Sequence, residues 1–112
     1  MSALSMTGQS MAQNADGFYV PPEEAPHQRT FMQWPVNRQR TIADIANAIA
    51  SFEPVTMLAA ASDHARARKR LSADVTLWDV PTEDLWCRDA GPIFVTNDRG
   101  DLAVSHIQFN GW

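Results

Sequence analysis

The sequence predicts an α/β protein, and three observations carry that expectation. Ile42, Ile45, Ile49 and Phe52 recur at i, i+3, i+7 and i+10, the spacing of one helix face. On either side stand short apolar runs rich in β-branched residues, such as Val55-Thr56-Met57-Leu58-Ala59 and Val75-Thr76-Leu77-Trp78, of strand rather than helix length. Strand and helix signals then alternate along the chain, the order of an α/β fold.

The elements follow in order. Residues 1–17 read MSALSMTGQSMAQNADG, without a basic start or an apolar stretch. They are expected to be a disordered tail rather than a secretory signal. From Phe18 to Pro35 the chain carries Pro21, Pro22, Pro26 and Pro35. Proline fixes φ and removes a donor, so this lead-in is extended, with one short strand at Thr30–Trp34 closed by Pro35. A helix is expected over Thr41–Phe52, with Thr41 as N-cap, Asp44 in the first turn and Glu53-Pro54 as the stop. Its stripe would pack on a sheet.

After the strand at Val55–Ala59, Ser62 opens a second expected helix running to about Leu71. Asp63 near its start and Arg66, Arg68, Lys69 and Arg70 near its end match the helix dipole. That basic run reads as a solvated face. The chain carries a net charge of −4 and no aromatics interleave the bases, so a nucleic-acid partner is not expected. A third strand at Val75–Trp78 ends in Asp79-Val80-Pro81. Ile93–Thr96 and Leu102–Ser105 flank Asn97-Asp98-Arg99-Gly100-Asp101, a hairpin in which Gly100 can supply positive φ.

The 112 residues are enough for one domain, assigned to 18–112, and 45% apolar with 20% charged residues is the ordinary globular range. No apolar run approaches the roughly 18 residues of a spanning helix, so no membrane partner is expected. The single cysteine, Cys87, excludes an intramolecular disulfide and a multi-cysteine zinc site. It suits a reducing compartment, and a cytoplasmic location is expected.

Chemistry concentrates in Pro81-Thr82-Glu83-Asp84-Leu85-Trp86-Cys87-Arg88-Asp89-Ala90-Gly91-Pro92. A carboxylate beside a tryptophan suits a planar cation: the carboxylate accepts two parallel N–H bonds from a guanidinium and the ring stacks on its face. Residues 74–112 hold seven of the thirteen acids against two bases, Arg88 and Arg99, a local charge of −5 that favours a cationic ligand. The competing reading has Asp89 pairing Arg88 or capping a turn.

Glu83-Asp84-Leu85-Trp86-Cys87-Arg88-Asp89-Ala90-Gly91-Pro92, followed by Phe109-Asn110-Gly111-Trp112, resembles the N-terminal region of the agmatine deiminases. These are grouped with the bacterial peptidyl-arginine deiminases in the guanidine-modifying, or pentein, superfamily. Pro21-Pro22-Glu23-Glu24-Ala25-Pro26-His27 and Thr30-Phe31-Met32-Gln33-Trp34-Pro35 sit where the family has its P-x-E-W-x-x-H and W-P elements. The resemblance implies a portion, about one blade or slightly more, of a five-bladed α/β propeller. It implies hydrolysis of the guanidine of agmatine to N-carbamoylputrescine and ammonia, feeding putrescine synthesis. A cysteine thiolate attacks the guanidine carbon, ammonia leaves, and water cleaves the amidino-thioether with a histidine as acid and base. No metal or organic cofactor is implied, and the partner is a small cationic guanidine.

Carried over residue by residue, Asp89 matches the carboxylate that grips the guanidinium and Trp86 the aromatic lining the pocket. Asp84 matches an acid frequent in the family and is placed with them as substrate-binding. Arg88 orders the loop. The catalytic histidine and cysteine have no counterpart in this chain and are expected downstream. Cys87 occupies the variable position of W-x-R-D and reads as a small strand-side hydrophobe. His27 matches a structural histidine, His64 lies solvated on the second helix, and His106 shares a strand face with Val104 and Gln108.

Two departures from the family pattern stand out. The stretch from Pro35 to the helix is shorter than usual, and the chain stops at Trp112 directly after a strand. A truncated family member, inactive alone, is the expectation. Peptidyl-arginine deiminase activity and a non-catalytic single-blade module, binding or self-associating through open sheet edges, are the alternatives.

Overall fold

The computed structural model describes residues 17–108 and Asn110. The expected tail, apart from Gly17, lies outside the described residues, as do Phe109, Gly111 and Trp112 of the final motif. Two compact units emerge. One is Pro26–Cys87, and the other joins the chain up to Ala25 with the chain from Arg88 onward.

The Pro26–Cys87 unit is a βαβαβ arrangement. It comprises β1 (Thr30–Gln33), α1 (Gln39–Ala50), β2 (Val55–Ala59), a 3₁₀ turn at Ala61–Asp63, α2 (His64–Arg68) and β3 (Val75–Asp79). The three strands form a parallel sheet in the order β1-β2-β3. The register aligns Thr30 with Val55 and Val55 with Val75. Alternate residues of β2, Val55, Met57 and Ala59, share one buried cluster with Ile42, Ala43 and Ala46 of α1 and Ala67 of α2. Both helices therefore cover the same sheet face, as two successive crossovers of one hand stepping in one direction require. On the opposite face Arg29 donates to the buried hydroxyl of Thr56 at 3.1 Å. There Phe31 and Trp78 meet with ring centroids 5.5 Å apart.

The helix differs from its sequence expectation in ways packing explains. It begins at Gln39, so Thr41 is not the N-cap and Asp44 is not in the first turn. Arg38 takes the capping position in the left-handed region at φ 62°, without a side-chain cap. The Gln39 side chain instead reaches back to the Pro35 carbonyl at 3.1 Å. The buried stripe is Ile42, Ala43 and Ala46, while Ile45 is 44% and Phe52 91% exposed. Alanines let the helix axis approach the sheet closely, and Phe52 lies beyond the helix end, where Ser51 caps Ala48.

The second helix is also shorter than expected. Ser62 lies in the 3₁₀ turn and caps nothing, and α2 ends at Arg68. Arg68 turns back to donate to the carbonyls of Ser72 and Val75, both at 2.8 Å, and Arg66 pairs with Asp63 at 3.1 Å. His64 is not solvated: its Nε2 lies 2.9 Å from the Ala59 carbonyl. Asn47 of α1 latches the loop that follows, accepting from the Ser72 N–H at 2.7 Å and donating to the Arg70 carbonyl at 2.9 Å.

In the other unit β4 (Ile93–Thr96) and β5 (Leu102–Ser105) form the expected antiparallel hairpin, with Gly100 at φ 82°. The Asn97 carboxamide closes the turn by accepting from the N–H groups of Arg99 and Asp101, both at 3.0 Å. Tyr19 bridges to Thr96, and Phe18 packs with Val95 and Ala103 on one hairpin face. The other face carries Phe94, Leu102 and Val104, all substantially exposed. His106 lies beyond β5 and is exposed rather than on a strand. No helix is long and apolar enough to cross a membrane among the described residues.

At the amino edge of the parallel sheet, Glu53 joins the start of β1 to the start of β2. Its carboxylate accepts from the Thr30 hydroxyl and lies 2.9 Å from His27 Nε2. The hydrogen bonds from Thr30 and His27 hold the Glu53 carboxyl below its ordinary value of 4.5. A depressed folded-state pKa contributes stability that is present above the unfolded value and lost as pH falls through the folded one. Thermal melts should therefore show Tm falling below about pH 4.5, with a shallower acid slope in Glu53→Gln. Asn47→Ala should destabilise by about 1–2 kcal/mol in urea unfolding at neutral pH, because two backbone groups lose their partners.

Candidate functional site

A parallel ladder brings the carboxyl ends of its strands to one edge, and in open α/β sheets ligand-binding segments lie there. Here the chain leaving β3 turns at Pro81 and passes back toward β2 and β1. The Thr82 hydroxyl donates to the Trp34 carbonyl at 2.7 Å and lies 3.4 Å from the Leu58 carbonyl. One residue on, the Glu83 carbonyl accepts from the Val36 N–H at 3.2 Å. Leu85 then packs against the main core cluster. These anchors hold residues 82–86 as a strap across the strand ends.

Between the anchors the polar and aromatic side chains face outward. Asp84 is exposed, with one carboxylate oxygen accepting from the Leu85 N–H at 2.7 Å. Trp86 is 49% exposed. The structure thus puts Asp84 and Trp86 on one strap at the carboxyl edge of the sheet. Beneath it, Trp34 is 1% exposed, and its Nε1 is a buried donor with no partner.

The strap runs into a short helical turn, α3 (Cys87–Ala90), which carries Asp89. Asp89 is exposed and belongs to the unit that begins at Arg88, whereas Asp84 and Trp86 belong to the parallel-sheet unit. Arg88 pairs with Glu23 at 3.0 Å, both side chains 82% exposed, which ties this turn to the proline-rich lead-in. The expected role of Arg88 in ordering the loop has this contact as its physical basis, although a pair so exposed is weak.

Cys87 corrects the expectation of a strand-side residue, because it opens a helical turn. It is half-buried, and burial pushes its thiol above the ordinary 9.0. A nucleophilic cysteine needs the opposite shift, since the thiolate is the reactive form. His27 is engaged with Glu53 and His64 with a backbone carbonyl. No cluster of three His, Cys, Asp or Glu side chains that could hold a metal ion occurs among the described residues. Among the described residues, the strap and the turn after it display carboxylates and an indole, and the Cys87 thiol is raised rather than lowered.

Sequence reasoning missed Thr82. The signal was present as a hydroxyl residue directly after the proline that ends β3, but its acceptors are 24 and 48 residues away in sequence.

The arrangement of strands and helices is that of solved deiminases. The chain superposes on the agmatine deiminase of Enterococcus faecalis with a TM-score of 0.74, at 28% identity, over 88% of this chain and 29% of that one. The C. jejuni agmatine deiminase gives a TM-score of 0.62 at 18% identity, covering 78% and 30%, a likeness of fold. In sequence, the agmatine deiminase of Ectopseudomonas mendocina is 40% identical over 118 residues, covering 96% of this chain and 32% of that protein. That of Pseudomonas aeruginosa is 37% identical over the same span, again covering 96% and 32%. The chain spans about a third of the length of the curated relatives it matches. These likenesses define a mixed α/β protein of the deiminase class. Residues 19–112 match the family described as Porphyromonas-type peptidyl-arginine deiminase, and the chain belongs to that family.

The state of Cys87 is directly measurable. Alkylation by iodoacetamide, followed against pH, should reach half its maximal rate above pH 9.0. An inflection near neutral pH would mark an activated thiol and contradict the assignment.

Proposed function

We propose that this chain is the substrate-gripping portion of an agmatine deiminase, which hydrolyses the guanidine of agmatine to N-carbamoylputrescine and ammonia. The observation that carries the reading is the exposed acid and aromatic stretch Asp84–Asp89, held on a pinned strap and a helical turn within the residues that match the family. In this reading the roles are those the family resemblance implies: Trp86 for the guanidinium face, Asp89 for its N–H groups and Asp84 as a further substrate-binding acid. Agmatine is a dication, and the local excess of acids in residues 74–112 favours it over neutral ligands.

The chemical step needs a thiolate to attack the guanidine carbon, a proton donor for departing ammonia and a base for the hydrolytic water. The raised thiol of Cys87 and the structural engagements of His27 and His64 support assigning those roles to parts of the enzyme outside this chain. Residues 18–112 would then be the N-terminal part of a deiminase domain, about one blade of a five-bladed propeller. No organic cofactor enters this scheme. The lone cysteine suits the reducing cytoplasm in which polyamine precursors are processed.

The 112-residue chain incubated with agmatine should form no ureido product in a colorimetric assay, and Cys87→Ala should behave identically. Turnover that is lost in Cys87→Ala would overturn the assignment of roles.

A further inference from the structure

We propose that Thr82 is a positioning residue for guanidinium recognition: its hydroxyl fixes the strap that presents Asp84 and Trp86. The inference rests on the guanidinium reading above and adds to it a residue that does not touch the ligand.

The case begins with an unmet backbone demand. Trp34 follows the last residue of β1 and extends the ladder by donating its N–H to the Leu58 carbonyl at 2.9 Å. Its own carbonyl lies one residue beyond Gln33, the last paired residue of β1, and the residue is 1% exposed, so water cannot serve that oxygen freely. The Thr82 hydroxyl supplies the proton at 2.7 Å. The same oxygen lies 3.4 Å from the Leu58 carbonyl, so one side chain spans the ends of two neighbouring strands.

Anchored and displayed positions then interleave. Thr82, Leu85 and Cys87 are partly buried, and Glu83, Asp84 and Trp86 are exposed. The Glu83 carbonyl is tied to the Val36 N–H, and the Cys87 N–H donates to the Leu85 carbonyl at 2.8 Å. Asp84 is locked onto the Leu85 N–H. Of the polar anchors between the strap and the strand ends, the Glu83–Val36 bond is backbone to backbone and survives any substitution of Glu83. Thr82 contributes through its side chain, so its anchor is set by residue identity. An exposed indole and carboxylate on a loose loop must be ordered when a ligand arrives, which weakens binding, whereas a pinned strap carries that ordering already.

The test uses the 112-residue chain, ¹⁵N-labelled, with Thr82→Val and Thr82→Ser variants and agmatine as the probe. Valine keeps the shape and removes the donor, while serine keeps the donor. Two quantities are read by NMR: amide exchange along the strap, and the agmatine dissociation constant from the Trp86 indole shift. Thr82→Val should speed exchange at Val36, Leu85 and Cys87 at least tenfold relative to the β2 amides. It should also weaken agmatine at least fivefold, and Thr82→Ser should restore both. A merely structural role would slow or speed the β2 amides along with the strap and would leave affinity unchanged in the folded fraction. If wild type binds agmatine and Thr82→Val binds it equally well, the positioning role is overturned and the guanidinium reading stands. If wild type shows no agmatine shift at Trp86, the guanidinium reading fails for this chain. The positioning role falls with it, whatever the exchange rates.

Discussion

Parallel pairing imposes a condition that the rest of the Pro26–Cys87 unit answers. Strands that run the same way all end at the same edge, and their last carbonyls there have no strand to bond. The Thr82 hydroxyl on the Trp34 carbonyl and the Val80 N–H on the Ala59 carbonyl answer that condition, while the Val36 N–H on the Glu83 carbonyl and the Ala61 N–H on the Asp79 carboxylate hold the segments that leave the edge. The opposite edge has its own, in which Glu53 links the starts of β1 and β2 through Thr30. Asp84 and Trp86 come to the carboxyl edge because the segment that satisfies its backbone also carries them there.

Much of this was legible in the sequence because it is local. The first three strands, the hairpin and the positive φ of Gly100 follow from apolar runs and turn residues and lie where those signals place them, whereas the parallel pairing of the strands was not read from the sequence. The helix boundaries were less legible. Thr41 is a good N-cap by residue type, but Gln39 found the Pro35 carbonyl and started the helix earlier, at the cost of a left-handed Arg38. Choosing the largest apolar residues as the buried stripe pointed to Ile45 and Phe52. The close sheet preferred Ala43 and Ala46, and a periodicity count that favours bulk does not see that choice.

Within the candidate site the pattern was similar. Asp84 and Trp86 were visible as an acid and an aromatic at suggestive spacing, and both are displayed on the strap. What supports them was invisible, because the Thr82 contacts join residues far apart in the chain. Cys87 shows why type and neighbourhood mislead: an adjacent arginine suggests a lowered thiol pKa, yet Arg88 faces Glu23 and burial dominates at the sulfur. A charge beside a residue in sequence acts only if the fold turns it that way.

The two units differ in how they are written into the chain, and this has a bearing on their order of assembly. Pro26–Cys87 is continuous, with each strand pairing to the next one synthesised. It can close as soon as β3 has left the ribosome, with only short loops to organise. The hairpin unit is interrupted by that whole segment. Phe18 and Tyr19, made early, have to wait for Val95, Thr96 and Ala103 before they gain their partners. Closing so long a loop adds little entropic cost per extra residue. Until Ala103 has been made, the nascent chain carries Phe18 ahead of the hairpin face on which it comes to pack.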